Sequence, residues 1–437
     1  MTGPAYRAVK GTRDLFPQES EKYAAVEAAA RRVFGGYGYG EIRTPILEST
    51  ELFARSVGET TDIVHKEMFT FPDRKGRSLT LRPENTAGVV RAVIEHGLDR
   101  LPRPLRVWYA GEQFRYERPQ KGRYREFRQI GAELVGVAGS ASDAEVLTML
   151  FDFLGSLGFS GLSVTLNCVP GGKSREAFAE ALRAHVRPQA GGLSENDRRR
   201  VEENPLRLFD SKDPATKAAL QGAPSTLEYL GPEAAAHFSE LKAMLKEAGI
   251  PFTEDPALVR GIDYYTVTVF EVVSESLGAQ NAILGGGRYD NLFADMGGPH
   301  LPAVGFAIGE DRLVEVLPRD PRAARDVWYV LPGAAEDFPY AMRVARALRA
   351  AHPGDTVETD LSGRGFARGF TRANQVLEGQ SGSPYPFRVA EVRVVALGSN
   401  ERNGDMVKIK TLSARTEETV PLSALTAAAN SARREEP

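Results

Sequence analysis

FRYERPQKGRYREFRQIGAE, residues Phe114 to Glu133, is the stretch on which the rest of the chain turns, because it sets six cations beside two aromatic-rich strands and ends on Gln129 and Glu133. Alternation gives it a geometry. The odd positions Val107, Tyr109, Gly111, Gln113 and Arg115 share one face of a strand, and Phe127, Gln129, Gly131 and Glu133 share one face of the next. Pro119 and Gly122 break the run between them. If the strands pair antiparallel, Arg115, Phe127, Gln129 and Glu133 line one pocket, while Arg118, Gln120, Lys121 and Arg123 ride on the loop. A guanidinium suits a phosphate and Phe127 offers a stacking face. Taken alone, the segment also fits a solvated basic hairpin whose Gln and Glu merely face water.

Composition narrows the classes. The chain has 437 residues, 42% of them hydrophobic, enough for two or three domains. Its 55 basic and 58 acidic side chains leave a formal charge of -3, so any nucleic-acid contact has to use local patches. Cys168 is the single cysteine, and the six histidines show neither HExxH nor a zinc-ligand spacing. No metal site built from the protein is expected. No apolar run approaches a membrane span, and MTGPAYRAVKG lacks the apolar core of a signal peptide. A reducing cytoplasm is the expected home.

Outward from the hairpin, Ser20 to Phe34 reads as a helix stopped by Gly35, Gly36, Gly38 and Gly40. Ile42, Met68 to Phe71, Leu79 to Leu81, Val107 to Phe114 and Phe127 to Val135 read as strands, and Thr86 to Glu95 and Ser142 to Leu157 as helices. The mixture predicts a mainly antiparallel α+β domain. From about Pro170 to Pro256 the texture is helical, and strand-like sequence resumes at Leu258 to Val273 and Ala282 to Leu284. After Arg325 come strand 327–331, helix 337–351, strand 356–359, helix 366–377, strands 392–397 and 406–411, and a terminal helix. That order predicts a separate small α/β domain. Gly379 to Pro386 reads as a loop.

Four further constellations bear on chemistry. Arg82-Pro83-Glu84-Asn85-Thr86 sits where a strand ends and a helix begins; a carboxylate and a hydroxyl there can hold an ammonium group, or can simply cap the helix. In Leu258-Val259-Arg260-Gly261-Ile262-Asp263-Tyr264-Tyr265, the glycine lets Arg260 leave strand geometry and face a ligand, unless it only pairs with a nearby acid such as Asp263. Gly285-Gly286-Gly287-Arg288-Tyr289-Asp290 is neither a P-loop nor a dinucleotide fingerprint, and by itself reads as a tight turn. Val304 to Leu313, VGFAIGEDRL, predicts a strand running into a helix at Glu310. Arg312 then lies in the first helical turn, where a bound anion or pairing with Glu310 or Asp311 would offset the helix dipole.

In this order, from KGTRDLFP at Lys10 to the terminal domain, the motifs resemble those of the class II aminoacyl-tRNA synthetases. LVRGIDYY with GGGRYD is similar in particular to the histidyl-tRNA synthetases. The resemblance implies an α+β catalytic domain over residues 1–325, with a six-stranded antiparallel sheet flanked by helices and a helical insertion at 170–256. It also implies an α/β anticodon-binding domain over 326–437 and a homodimer. The implied reaction joins L-histidine to ATP as an adenylate, with magnesium assisting, and then transfers histidine to tRNA(His); no DNA or membrane is involved. By the same resemblance Glu84, Thr86 and Gln129 hold the histidine amino group, Asn85 beside them. Glu133 and Tyr265 face the imidazole, and Tyr264 completes that site. Arg115 and Arg260 flank the α-phosphate and touch the histidine, Phe127 stacks on adenine, and Arg123 and Arg312 hold the distal phosphates. Arg118 and Gln120 meet the acceptor end of the tRNA.

Asn85 stands where a glycine is more usual, Asn374 where an acid is, and Glu378 to Glu391 is longer than the usual connection. The main rival is the non-catalytic, synthetase-like regulatory subunit of histidine biosynthesis. Against it stand Arg115, Arg260, Arg312 and the whole stretch 326–437. A synthetase for another amino acid is opposed by LVRGIDYY and Glu133.

Overall fold

The computed structural model describes residues 6–58, 61, 63–118, 123–260, 264–274, 282–378 and 385–425. Pro119 to Gly122 of the hairpin loop, Gly261 to Asp263, Gly379 to Pro384 and residues 426–437, where the terminal helix was expected, lie outside them. In chain order the elements are α1 (Pro17–Gly36), β1 (Gly40–Glu41), β2 (Leu47–Ser49), α2 (Thr50–Val57), β3 (Phe69–Pro72), β4 (Ser78–Leu81), α3 (Thr86–Glu95), β5 (Leu105–Phe114), β6 (Glu126–Val135), α4 (Ser140–Ser156) and β7 (Leu162–Cys168). Next are α5 (Gly172–Val186), α6 (Glu195–Glu203), α7 (Pro214–Ala219), α8 (Pro232–Glu247), β8 (Phe252–Glu254), β9 (Thr268–Ser274), β10 (Ala282–Arg288), α9 (Leu292–Asp295), β11 (Ala303–Gly309) and α10 (Glu310–Glu315). The last part holds β12 (Ala324–Pro332), α11 (Phe338–Ala351), β13 (Thr356–Thr359), α12 (Phe366–Leu377), β14 (Arg388–Leu397), α13 (Ser399–Gly404), β15 (Met406–Thr411) and β16 (Thr416–Pro421).

Contacts divide the chain into two compact units, residues 1–14 with 26–320 and residues 15–25 with 321–437. The first is built on a sheet of order β1-β5-β6-β11-β10-β9-β7-β8. Its six central strands are antiparallel, as the α+β expectation holds, and the short strands β1 and β8 extend it in parallel at the two edges. In the β5–β6 hairpin, Gln113 faces Phe127, Gly111 faces Gln129, Tyr109 faces Gly131 and Val107 faces Glu133, the register the alternation requires. Ile130, Ala132 and Leu134 therefore point to the opposite face, where they are buried against Val26, Ala30 and Phe34 of α1, Leu150 and Phe153 of α4, and Phe238, Leu241 and Leu245 of α8. One face of β6 thus builds the core and the other is left for chemistry.

The helical middle is not a single body. Helices α5 and α6, with the turn at Pro205–Asp210, close their own cluster around Phe178, Leu182, Val201 and Leu208. Helix α8 packs instead into the main core. A three-stranded sheet, β2-β4-β3, stands apart from the large one.

Two expectations need correction. Gly285, Gly286 and Gly287 do not make a tight turn: they lie within β10, opposite Ala307, Phe306 and Gly305 of β11. Their neighbours in space are fourteen or more residues away in sequence, so local turn chemistry gave no warning. Strand β7, with Leu162, Val164, Leu166 and Cys168 buried, and strand β16 were both absent from the expected set.

In the second unit the sheet order is β13-β12-β14-β15-β16, with β13, β12 and β14 parallel. Val344 and Leu348 of α11 pack on Trp328, Val330 and Val395, and Ala373 and Val376 of α12 pack on Tyr329, Leu331 and Val394. Helices on both faces explain the apolar runs Val327–Leu331 of β12 and Val394–Leu397 of β14.

Candidate active site

Two adjoining cavities open on the odd-numbered face of β6, and Ile63 and Arg115 line both. The first, of about 170 Å³, is walled by Glu84, Thr86, Gln129, Glu133, Arg260, Tyr264, Tyr265 and Tyr289 over a floor that includes Gly285, Gly305 and Ala307. Glycine makes that floor possible. A Cβ on Gly305 would sit 1.6 Å from Glu133 Oε2, one on Gly285 would sit 2.3 Å from the Arg260 guanidinium, and one on Gly287 would meet the Tyr265 ring at 2.7 Å.

Glu133 is 1% exposed. Its Oε1 accepts from Thr86 Oγ1 at 2.9 Å and Tyr109 OH at 3.2 Å, and its Oε2 accepts from Tyr289 OH at 2.6 Å. Burial outweighs these three donors and pushes its pKa up to about 8, with Glu84 adding to the rise. Glu84 lies at the N-terminus of α3, where Oε2 accepts from the Thr86 amide at 2.7 Å and Oε1 from the Ala87 amide at 2.9 Å. Its pKa is also raised by burial. Glu84 therefore caps α3 and lines the cavity at once. Among the described residues neither carboxylate forms an ion pair, so the cavity pairs buried acid groups with space for a nitrogen-rich ligand. Gln129 Oε1 is buried without a hydrogen-bond partner on the same wall.

The Glu133 titration has a testable sign. A folded-state pKa raised from 4.5 to about 8 means that the folded protein holds the proton longer than the unfolded chain, so stability falls as pH rises across that window. Glu133→Gln removes the slope. Its unfolding free energy, from denaturant titration, is expected to gain on that of the native protein between about pH 5 and about pH 9 by on the order of a few kcal/mol. A pH-independent difference would refute the assignment; Glu310, raised by burial to about 8 in both proteins, cancels in the comparison.

The cations meet where the cavities join. Arg115 donates from Nε to the Pro83 carbonyl at 2.9 Å, and its guanidinium lies 5.4 Å from the Phe127 ring centre. Arg260 is paired with Glu271; Asp263, the partner the sequence offered, lies outside the described residues. The second cavity, of about 430 Å³, is lined by Arg115, Arg123, Phe127, Arg312 and Gly309 among others. Close by, Glu310 meets Arg128 at 3.1 Å and Asp311 meets Arg13 at 2.9 Å.

The structure brings together Glu84, Thr86, Arg115, Gln129, Glu133, Arg260, Tyr264 and Tyr265 in one cavity and Arg115, Arg123, Phe127 and Arg312 in the other. It does not bring Asn85 to either. That side chain is buried behind α3, where Oδ1 accepts from Thr44 Oγ1 at 2.7 Å. Arg118 is exposed and lines neither cavity, and Gln120 lies outside the described residues. Sequence reasoning missed Tyr289 and Tyr109 as hydrogen-bond donors and Glu271 as the partner of Arg260. Tyr109 was on the correct face by alternation; the other two depend on the β9–β10–β11 pairing.

The family model described as histidyl-tRNA synthetase matches residues 11–313, more than half of the chain. The chain belongs to the histidyl-tRNA synthetase family. A histidine–tRNA ligase of Thermosynechococcus vestitus is 43% identical over 418 residues, 95% of this chain and 94% of that one. The solved apo histidyl-tRNA synthetase of S. aureus superposes with a TM-score of 0.77 at 32% identity, covering 97% of this chain and 99% of the other. A structure from Bacillus halodurans described as an ATP phosphoribosyltransferase regulatory subunit/histidyl-tRNA synthetase reaches 0.64 at 25% identity, over 91% of this chain and 100% of that one. Backbone alone does not separate a histidyl-tRNA synthetase from the regulatory class; side chains in the cavities have to.

Proposed function

We propose that the chain is a histidine–tRNA ligase that first joins L-histidine to ATP and then passes it to the 3′ end of tRNA(His). The observation that carries this is the buried Glu133, anchored by three hydroxyls and facing a cavity whose far side is Arg115 and Arg260. Glu133 and Tyr265 receive the imidazole, with Tyr264 behind them. Glu84, Thr86 and Gln129 hold the amino group. The histidine carboxylate then points to the junction of the cavities. An apolar amino acid there would strand buried polar groups, which rejects it without an editing domain.

Phe127 stacks on the adenine and Arg123 and Arg312 hold the distal phosphates. A carboxylate oxygen forms a bond to the α-phosphorus, the bond to the bridging oxygen breaks, and pyrophosphate leaves with the electron pair. No enzyme nucleophile is required; the protein supplies alignment and cations. Among the described residues no group of three or more His, Cys, Asp or Glu side chains is placed to hold a metal ion. Magnesium suits such a site when phosphate oxygens supply most of its ligands, so ATP would bring it, with Glu67 and Glu117 of the second cavity completing its shell. Bound there, it neutralises phosphate charge. Arg118 and Gln120 are the residues assigned to the tRNA end.

The catalytic portion is assigned to residues 1–325, with 170–256 as its insertion, and anticodon binding to 326–437. A homodimer is the proposed assembly, and Ile46, Leu47 and Phe71 are exposed apolar side chains on β2, β3 and their approach. Among the described residues no helix is long and apolar enough to cross a membrane, in keeping with a proposed cytoplasmic location. Purified protein is expected to exchange pyrophosphate into ATP only when histidine is present. Absence of exchange with every amino acid would favour the regulatory class instead.

A further inference from the structure

The second cavity carries more positive charge than the sequence motifs account for. Besides Arg115, Arg123 and Arg312, its wall includes Arg200 and Arg207, which come from the helical segment between β7 and β8. Arg200 lies on α6, and Arg207 on the short turn Pro205–Asp210. Among the described residues five guanidiniums thus face four carboxylates, Glu67, Glu117, Asp210 and Asp311. Glu117 meets Arg123 at 3.3 Å and Asp311 meets Arg13 at 2.9 Å.

Arg200 has a built support. Asp197 is 2% exposed, and its Oδ2 accepts from Ser211 Oγ at 2.6 Å and Thr216 Oγ1 at 2.8 Å. That leaves Oδ1 for Arg200 Nη1, at 3.1 Å. Burial works against the Asp197 charge, yet the hydroxyls and the guanidinium hold its pKa below the ordinary carboxylate value. A carboxylate fixed in this way acts as a strut for the guanidinium. Arg207 has a different placing. It lines the second cavity and also a smaller one of about 30 Å³ shared with Arg175, Arg260 and Tyr265. It therefore stands between Arg260 and the second cavity.

We propose that Arg200 and Arg207 bind the pyrophosphate portion of ATP and steady it as it departs, with Asp197 as the positioning residue for Arg200. This rests on the adenylation reading above. When the bond between the α-phosphorus and the bridging oxygen breaks, that oxygen leaves with the electron pair, and negative charge gathers on the distal end. Guanidiniums placed there are stronger partners for the leaving group than for the neutral adenine. The helical segment would then sense the nucleotide tail together with Arg123 and Arg312 of the sheet motifs.

Arg200→Gln and Arg207→Gln, singly and together, test this by pyrophosphate exchange. The native protein must first show histidine-dependent exchange; if it does not, the adenylation reading has failed and not this one. The KM for ATP and for inorganic pyrophosphate are each expected to rise roughly tenfold to a hundredfold, with the KM for histidine unchanged. Arg200→Lys is expected to recover part of the loss, and Asp197→Asn to reproduce the Arg200 effect more weakly. A rise in the histidine KM together with a lowered denaturation midpoint would assign the residues a merely structural role and overturn the proposal. So would unchanged KM values for ATP and pyrophosphate with slower transfer to tRNA, which would give these cations to a nucleic-acid backbone.

Discussion

Replacing Arg260 by alanine is expected to slow histidine-dependent pyrophosphate exchange by about 10²–10³-fold, the loss typical of removing a preorganised donor from a transition state. The residue is held from two sides. Glu271 of β9 binds its guanidinium, and the backbone of Gly285 lies so close beneath it that a Cβ would touch at 2.3 Å. Orientation is therefore set before substrate arrives, and little reorganisation is left for the reacting complex. Because the contact strengthens as charge spreads over the α-phosphorus, kcat and kcat/KM should fall together while the KM values move little. Lysine at the same position is expected to restore only a minor part, since a point charge cannot grip Glu271 and a phosphate oxygen in one plane. A loss of about threefold or less would remove Arg260 from the chemistry.

Gly305→Ala is expected to abolish productive histidine binding while sparing ATP. The new methyl would meet Glu133 Oε2 at 1.6 Å and the Ala132 carbonyl at 2.6 Å. Glu133 can swing away, but the carbonyl belongs to the β6–β11 ladder and cannot. Displacing Glu133 forfeits the 2.6 Å bond from Tyr289 and leaves a buried carboxyl group short of donors. We expect the histidine KM to rise on the order of a hundredfold or more, with about 1–3 kcal/mol of lost stability from overpacking. Gly305 does not line the second cavity, so ATP binding measured by equilibrium dialysis should be retained. A variant with native histidine saturation would show that the floor tolerates a side chain and that Glu133 is not where selection happens.

Much of this was legible locally. The alternation of Gln129, Gly131 and Glu133 against Ile130, Ala132 and Leu134 named the site face and the core face of β6, and pairing with β5 added only distances. Helix α3 at Thr86–Glu95 and the passage from β11 into α10 at Glu310 followed from end signals a few residues long. What escaped depended on partners far along the chain. The three glycines of β10 looked like a turn because their function is to let Arg260, Phe270 and Tyr265 approach, and only the neighbouring strands show this. Asn85 belonged to a binding motif by position, yet its side chain turns to Thr44, forty-one residues earlier. Arg200 and Arg207 carry no motif at all, and only the way the helical segment folds back places them on the cavity wall.

The glycine floor makes the amino-acid cavity a shape defined by backbone. A pocket bounded by side chains is enlarged by trimming them, but glycine has nothing further to trim. Along Gly285, Gly287 and Gly305, single substitutions can only fill the space, so on this side the cavity can become smaller in one step but can grow only if the strands themselves part. At Gly287 and Gly305, where a Cβ would meet the Thr268 and Ala132 carbonyls, intolerance of added volume is built into the hydrogen-bonded ladder and holds however the surrounding side chains change.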